Sequence, residues 1–130
     1  MKLPRLLLWV NAACFLIFGA AFLISPGFMA QLLTGTTPSA PNALIDIRAT
    51  YGGMALGIGL FFAFCARRPQ RVRIGLIASL LVASGIVFGR LAGIVVDGSP
   101  NAAMIALLAG DSFFIVLFAL ALRRFPEKTE

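Results

Sequence analysis

Residues 74–96 read IGLIASLLVASGIVFGRLAGIVV, a run of 23 residues in which Arg90 is the one charged side chain. A transmembrane α-helix needs about 20 consecutive apolar residues, so this run is long enough to cross a bilayer. Three glycines recur in it at four-residue spacing, and a strongly basic segment, residues 67–73, precedes it. The run therefore predicts a membrane-spanning helix.

Three further segments have the same apolar character, at about residues 5–24, 44–66 and 101–122. Together the four predicted spans use most of the 130 residues, and the chain is 60% hydrophobic and 12% charged, with a mean hydropathy of +0.98. A soluble domain has about 25% charged residues, so a soluble globular protein is excluded. We expect residues 1–130 to form a single all-α domain, an integral membrane four-helix bundle.

The segment between the first two predicted spans contains a short apolar stretch after Pro26. It places Phe28, Met29, Leu32 and Leu33 on one helical face, a pattern typical of a helix lying in the membrane interface. We therefore expect a short interfacial helix on the outer side, the alternative being a turn that extends the first span. The first span itself, at about 19 residues, exceeds the 7–15 of a signal-peptide core, so we expect it to be retained.

The distribution of basic residues predicts the orientation. Nine of the eleven flank the spans on one side: Lys2, Arg5, Arg67, Arg68, Arg71, Arg73, Arg123, Arg124 and Lys128. The loops at residues 25–43 and 97–100 have none. By the positive-inside rule, both termini are expected in the cytoplasm. Short juxtamembrane basic segments suit anionic membrane lipids rather than nucleic acid, so we expect lipid partners and no nucleic-acid binding.

Glycines at four-residue spacing predict close helix packing. Gly53 and Gly57 form a GxxxG motif in the second span, and Gly85, Gly89 and Gly93 form two overlapping motifs in the third. Residues four apart share a helical face, and the absent side chains let a neighbouring backbone approach. We expect these glycines to pack span two against span three; a homo-oligomer contact is the alternative.

Four ionisable residues in or next to the predicted spans are candidates for a role beyond topology: Arg48, Arg90, Asp97 and Asp111. Asp46, near the outer end of span two, is expected to face water. Because side chains lean toward the N-terminus of their own helix, Arg90 and Asp111 on antiparallel spans lean toward each other's depth. The same reasoning predicts a second pair, Arg48–Asp97, with Tyr51 as an extra donor beside Arg48. These five residues are the candidate polar cluster.

Two interpretations of this cluster stay open. An ion pair buried in the membrane can fix the register of two helices, or it can mark a polar cavity, open to the outer side, that binds an anionic head group, a quinone or a proton. Asn11 is expected to hydrogen-bond a neighbouring helix, and Cys14 and Cys65 to be small buried hydrophobes.

Several chemistries lack their usual residues. The chain has no His, no CxxC pair and no glycine-rich phosphate loop followed by Lys. Metal sites, general-base catalysis by His and thiol redox chemistry are therefore not expected. We expect neither an enzyme nor an intrinsic cofactor, although a bound lipid or quinone is compatible with the sequence.

Two motifs carry a family resemblance. Residues 46–53, DIRATYGG, and residues 89–100, with Gly89-Arg90-Leu91, Gly93, Asp97-Gly98 and Pro100, resemble the domain-of-unknown-function 4345 family over nearly the whole chain. The resemblance implies a small four-helix protein of the bacterial inner membrane and supports the importance of the polar cluster. More distantly the layout is similar to DoxX-like proteins, some associated with quinone-linked oxidoreductases. It assigns no activity.

Three functions are compatible with these features. The first is an accessory or assembly subunit of a larger membrane complex, which fits the small size and the close-packing glycines. The second is a lipid- or quinone-binding protein that uses the polar cluster. The third is a small transporter, although the first span lacks the acidic residue on which four-helix multidrug exporters rely.

Overall fold

The computed structural model describes residues 2–124, and every regular element within that range is helical. Four helices are long and apolar enough to cross a membrane, as predicted. They are span one (Lys2–Ile24), span two (Pro41–Arg67), span three (Pro69–Asp97) and span four (Ala102–Arg123). The all-α four-helix fold class is thereby confirmed, while Lys128 of the basic set lies outside the described residues.

Span two is not a uniform α-helix. It begins as the α-helical segment Pro41–Ile47, continues through the π-helical segment Arg48–Met54, and ends as the α-helical segment Ala55–Arg67. A π-helical turn widens the backbone and changes the direction in which the following side chains point. Span three is more regular, with a short 3₁₀ turn, Pro69–Arg71, leading into its long α-helix, Val72–Asp97.

The short helix predicted after span one is present at Pro26–Thr34. The non-helical backbone of Ser25 separates it from span one, and Gly35 ends it with a φ of 78°, which favours glycine. The side chain of Asn101, at the start of span four, donates a 2.9 Å hydrogen bond to the carbonyl of Leu33. The short helix is therefore tied to span four; its position in the membrane interface stays a prediction.

Spans one and two pack closely through glycines. A Cβ atom on Gly19 would lie 2.8 Å from the backbone nitrogen of Leu56 and 2.9 Å from the carbonyl oxygen of Gly52. A Cβ on Gly59 would lie 2.8 Å from Cγ of Leu16. Backbones can approach this closely because glycine has no side chain.

The glycines predicted to join spans two and three do not do so. A Cβ on Gly57, Gly85 or Gly89 would have no neighbour within 4 Å, and one on Gly53 would meet only the Arg48 carbonyl of its own helix. Gly93 faces only the Asp97 carboxylate of its own helix, at 3.8 Å. The expectation is wrong because the close glycine contacts of span two are made by Gly52 and Gly59 with span one. Gly53, Gly57, Gly85 and Gly89 are exposed instead. The homo-oligomer alternative stays a prediction.

The hydrophobic core fills one end of the bundle. Its fully buried side chains come from all four spans and include Leu8, Phe62, Val72, Leu76 and Phe118. Span three approaches the first two spans here, because a Cβ on its Gly75 would lie 2.7 Å from Cβ of Cys65 and 2.9 Å from Cδ1 of Leu8. Toward the other end, none of residues 84–97 or 102–117 is buried, whereas Gly19 and Gly52 are buried between spans one and two.

The core end also carries the basic residues, and we call it the basic end. Arg5 donates a 3.1 Å hydrogen bond from Nε to the carbonyl of Ala66, at the last turn of span two. Helix C-termini leave carbonyl groups without intrahelical partners, and a guanidinium satisfies them while complementing the helix dipole. On the same side, Arg71 stacks on the ring of Phe64, 3.9 Å from its centroid. These contacts hold two of the basic side chains against span two.

Candidate functional site

A cavity of about 290 Å³ lies between spans one, three and four, next to the core. We call it the inner cavity. Its lining residues are Asn11, Cys14, Phe15, Phe18, Ser79, Ala83, Ile86, Arg90, Ala106, Leu107, Gly110, Asp111, Phe114 and Phe118. Most of these side chains are apolar, and the few polar ones lie at its two ends or on span one.

A hydrogen bond between two spans lies at the end of the inner cavity nearest the core. Asn11 of span one donates from Nδ2 to Oγ of Ser79 on span three over 3.0 Å. Both residues are buried, with exposed fractions of 8% and 1%. Inside a membrane such a bond joins two helices without leaving a polar group unsatisfied. The predicted hydrogen bond between Asn11 and a neighbouring helix is confirmed, with Ser79 as its partner.

The other end of the inner cavity holds an ion pair. Arg90 of span three donates to the carboxylate of Asp111 on span four, and their side chains are 23% and 29% exposed. The structure therefore contains the predicted Arg90–Asp111 pair. A lone charge within a bilayer is costly, and pairing with an opposite charge reduces that cost. The pair leaves the site electrically neutral while keeping several N–H donors and carboxylate oxygens together.

A second cavity, of about 490 Å³, lies at the end of the bundle opposite the basic end. We call it the end cavity. Its lining residues are Thr34, Arg90, Gly93, Ile94, Asp97, Gly98, Ser99, Pro100, Asn101 and Met104. Arg90 lines both cavities. The end cavity is the more polar of the two and is built from the turn between spans three and four.

The geometry of this turn is fixed by two residues. Gly98 ends span three with a φ of 99°, a conformation that side-chain-bearing residues rarely adopt. Asn101 caps span four, because its Oδ1 accepts a 2.8 Å hydrogen bond from the amide of Met104. The same Asn101 side chain reaches Leu33, so the turn, the short helix and the end cavity are held together.

The second predicted pair, Arg48–Asp97, is wrong. Arg48 donates to the carbonyl of Leu23 and, over 3.4 Å, to that of Ile24, the last residues of span one. These carbonyls lack intrahelical partners because the helix ends there, and they attract a cation. Asp97 lies in the end cavity on span three, away from span two. The pair is not formed because this part of span two packs against span one.

Tyr51 also lies apart from the cavities. Its ring stacks on Phe22 of span one, with centroids 5.2 Å apart and an interplanar angle of 28°. The candidate polar cluster is therefore two groups. Arg90, Asp97 and Asp111 line the cavities, whereas Arg48 and Tyr51 join span two to span one.

The expectation that Cys14 is buried is wrong. Its side chain is exposed and lines the inner cavity, whereas Cys65 is buried as expected. A signal for this face was present in the sequence, since Asn11, Cys14, Phe15 and Phe18 follow the i, i+3, i+4, i+7 spacing of one helical face. Ser79, the partner of Asn11, carried no such signal, because small polar residues are common in membrane spans.

A family model described as "Domain of unknown function (DUF4345)" matches residues 3–122. No significant match was found among curated proteins or among solved structures. Because the family match covers nearly the whole chain, the chain belongs to the DUF4345 family, as the resemblance of its motifs indicated.

Proposed function

We propose that this member of the DUF4345 family binds a small membrane amphiphile, a lipid or a quinone, in the inner cavity. The observation that carries the proposal is the position of the Arg90–Asp111 pair at one end of an apolar cavity between the spans. Ligand sites in helical bundles are typically apolar clefts with a few polar groups that orient the ligand. Intramembrane ionisable residues are also the usual marks of such sites.

The volume of the inner cavity supports a ligand of limited size. An engineered apolar protein cavity of about 150 Å³ binds benzene. At about 290 Å³, the inner cavity has roughly twice that volume, which suits one ring system or one segment of an alkyl chain. Aromatic rings of span one and span four, including Phe15, Phe18 and Phe114, provide the apolar walls.

The polar end of the cavity provides both kinds of hydrogen-bonding group. The guanidinium of Arg90 has N–H donors beyond those used by Asp111, and these suit a carbonyl or phosphate oxygen. The carboxylate of Asp111 accepts hydrogen bonds from a hydroxyl or an amine. The inner cavity has Arg90 and Asp111 at one end and apolar walls along most of its length. A ligand with a polar group at one end and an apolar body fits this arrangement.

Native mass spectrometry of the protein, extracted gently from its own membrane, tests the proposal. We expect a protomer or homo-oligomer that carries a lipid or quinone mass, and we expect Arg90→Leu to lose that mass. Arg48→Leu is the matched control, because it also removes an arginine near the end of a span but lies outside both cavities. A wild-type protein without any bound mass contradicts the proposal.

The role of accessory or assembly subunit is a second candidate, favoured by a different observation. Gly85 and Gly89 on span three are exposed and have room for another backbone to approach. The same mass measurement separates the two candidates, because a subunit is expected to be released together with other polypeptides. No specific observation favours the third candidate, a small transporter.

A further inference from the structure

We infer that the ligand of the inner cavity is the ring of a para-quinone or of its quinol, held by polar groups at both ends of the cavity. The inference rests on the proposed function and specifies its ligand. One oxygen of the ring lies beside the Arg90–Asp111 pair, and the oxygen on the opposite carbon lies beside the Asn11 amide. The Asn11 amide is the feature that favours this ligand over a lipid chain.

Asn11 has hydrogen-bonding capacity that the protein does not use. Its bond to Ser79 takes one N–H of the amide, and none of the described residues is bonded to its carbonyl oxygen. Asn11 is only 8% exposed, and it lines the inner cavity. Within the described part of the chain, no buried side-chain oxygen is fully enclosed without a partner, so this oxygen is accessible at the cavity. An alkyl chain beside it would leave it unsatisfied, whereas a ligand with a polar group here would not.

Both ends of the inner cavity offer hydrogen-bond donors and an acceptor. At one end, Arg90 has N–H groups beyond those used by Asp111, and the Asp111 carboxylate accepts. At the other end, Asn11 has a second N–H and its free carbonyl oxygen. A quinone has two oxygens that only accept hydrogen bonds, and a quinol has two hydroxyl groups that also donate. Each end can therefore bind either form, and the neutral ion pair suits a ligand without net charge.

The distance between the two ends is close to the length of one such ring. Ser79, the partner of Asn11, and Arg90 are 11 residues apart on span three, about 16.5 Å along the axis at 1.5 Å per residue. The Arg90 side chain leans toward the N-terminus of its helix, which brings the guanidinium several ångströms closer to Ser79. A para-quinone spans about 11 Å when a hydrogen bond of about 2.9 Å is included at each end. One ring therefore bridges the remaining gap.

The walls and the opening of the inner cavity fit a ring that carries a tail. Phenyl rings of spans one and four line the cavity, and aromatic rings pack favourably on one another in offset or edge-on geometry. Three other lining residues are exposed, Cys14 on span one and Ala106 and Gly110 on span four. They indicate an opening between these two spans, toward the bilayer. The cavity of about 290 Å³ holds the ring, and a tail passes out through this opening.

Four probes of one shape test the number of polar contacts: tetramethyl-1,4-hydroquinone, tetramethyl-1,4-benzoquinone, 2,3,5,6-tetramethylphenol and 1,2,4,5-tetramethylbenzene. The first two carry an oxygen at each end of the ring, the phenol carries one, and the hydrocarbon carries none. Their methyl groups occupy the ring positions at which the Cys14 thiol would add to an unsubstituted quinone. Binding is measured as the rise in unfolding temperature of the delipidated protein, under argon, at equal probe concentration in the detergent micelle.

The expected order of affinity follows the number of oxygens. We expect the quinol and the quinone to bind about fivefold more tightly than the phenol, the effect of one net hydrogen bond. The phenol is expected to bind more tightly than the hydrocarbon, because its hydroxyl group still reaches the Arg90–Asp111 pair.

A double variant removes the polar group at the core end of the cavity. Asn11→Leu with Ser79→Ala replaces both partners of the hydrogen bond by apolar groups, which limits the loss of stability. We expect this variant to bind the quinol no more tightly than the phenol, and to bind the phenol as the unmodified protein does. Ser112→Ala is the matched control, because its hydroxyl is bonded to the Leu108 carbonyl of its own helix and lies outside the cavity.

The outcomes separate this inference from the proposed function. If no probe binds and the protein from its own membrane carries no bound mass, both fail. If the phenol binds as tightly as the quinol and the quinone, or the bound mass is a phospholipid, the inference fails and the proposed function stands. A bound quinone mass supports the inference, and its size distinguishes a tailed quinone from a free ring. A preference for the quinol that persists in the double variant overturns the role of Asn11. The order of the probes on the unmodified protein decides the main point even if the double variant does not fold.

Discussion

Arg90 and Asp111, 21 residues apart in the sequence, form an ion pair that joins spans three and four beside the inner cavity. The two spans are antiparallel, and side chains lean toward the N-terminus of their own helix, so each residue leans toward the depth of the other. The pair both fixes the register of these spans and provides the polar end of the inner cavity.

Exchanging the two charges separates these roles. We expect Asp111→Leu alone to destabilise the protein by up to about 3 kcal/mol, because it leaves the Arg90 charge unpaired within the bilayer. The double variant Arg90→Asp, Asp111→Arg re-forms an ion pair, so we expect it to recover most of that stability. SDS titration in mixed micelles measures the unfolding.

The exchanged pair is expected to restore stability but not ligand binding. Because the exchange moves the guanidinium to span four, we expect the double variant to fold without recovering the bound mass in native mass spectrometry. A double variant that recovers both stability and the bound mass would show that only the presence of the pair matters, not the positions of its groups.

The success of one predicted pair and the failure of the other have a common physical basis. Depth along a helix follows from residue number, and the lean of a side chain follows from helix geometry. Neither quantity tells which of three neighbouring helices a residue faces. Arg90 and Asp111 lie on consecutive spans that pack together, whereas Arg48 lies on a span that packs mainly against span one.

The role of Arg48 as a cap for span one makes a separate prediction. Arg48→Ala removes the donor to the carbonyls of Leu23 and Ile24, and we expect a loss of about 0.3–1 kcal/mol, the range for a cation at a helix C-terminus. Arg48→Lys should retain part of that stability, because it keeps the charge.

A double-mutant cycle provides the control. Because Arg48 and Asp97 are not paired, the losses from Arg48→Ala and Asp97→Asn in SDS titration are expected to add, within about 0.3–0.5 kcal/mol. A larger coupling between the two substitutions would indicate that they interact after all.

Two glycines of different surroundings test the packing of the bundle. A Cβ on Gly19 would meet backbone atoms of Leu56 and Gly52, so we expect Gly19→Ala to cost about 1–3 kcal/mol through overpacking. Gly89→Ala is the matched control, since a methyl group there meets nothing within 4 Å and alanine favours the helix. Thermal unfolding of the two variants in the same detergent compares them.

Gly89 also reports on contacts with another chain. If Gly89→Ala or the larger Gly89→Leu changes the mass of the extracted assembly without lowering the stability of the protomer, the open glycine face of span three contacts another helix. Equal losses of protomer stability for Gly19→Ala and Gly89→Ala would contradict the packing described for both residues.

Glycine packing was the part of the fold that the sequence predicted least well. GxxxG spacing identifies residues that share a helical face, but several faces of one span satisfy such a pattern. Gly52 and Gly59 lie seven residues apart and face span one, while Gly53 and Gly57 lie on another face. The π-helical segment between Arg48 and Met54 changes the angular relation between these positions, and no feature of local sequence marks that segment clearly.

The orientation of the bundle is the last prediction. Spans one and three begin at the basic end, and spans two and four end there. At this end Arg5 is hydrogen-bonded to the Ala66 carbonyl, and Arg71 stacks on Phe64. The loops at the other end, residues 25–43 and 97–100, carry no basic residue. Since retention of basic loops in the cytoplasm determines topology, we expect the basic end to be cytoplasmic.

Green fluorescent protein fused after residue 130 should fluoresce, and alkaline phosphatase at the same position should be inactive. Alkaline phosphatase inserted after residue 38 should be active, which controls for expression and export. Activity of both phosphatase fusions would indicate insertion in two orientations, and a reversed pattern would place the end cavity, with Asp97, on the cytoplasmic side.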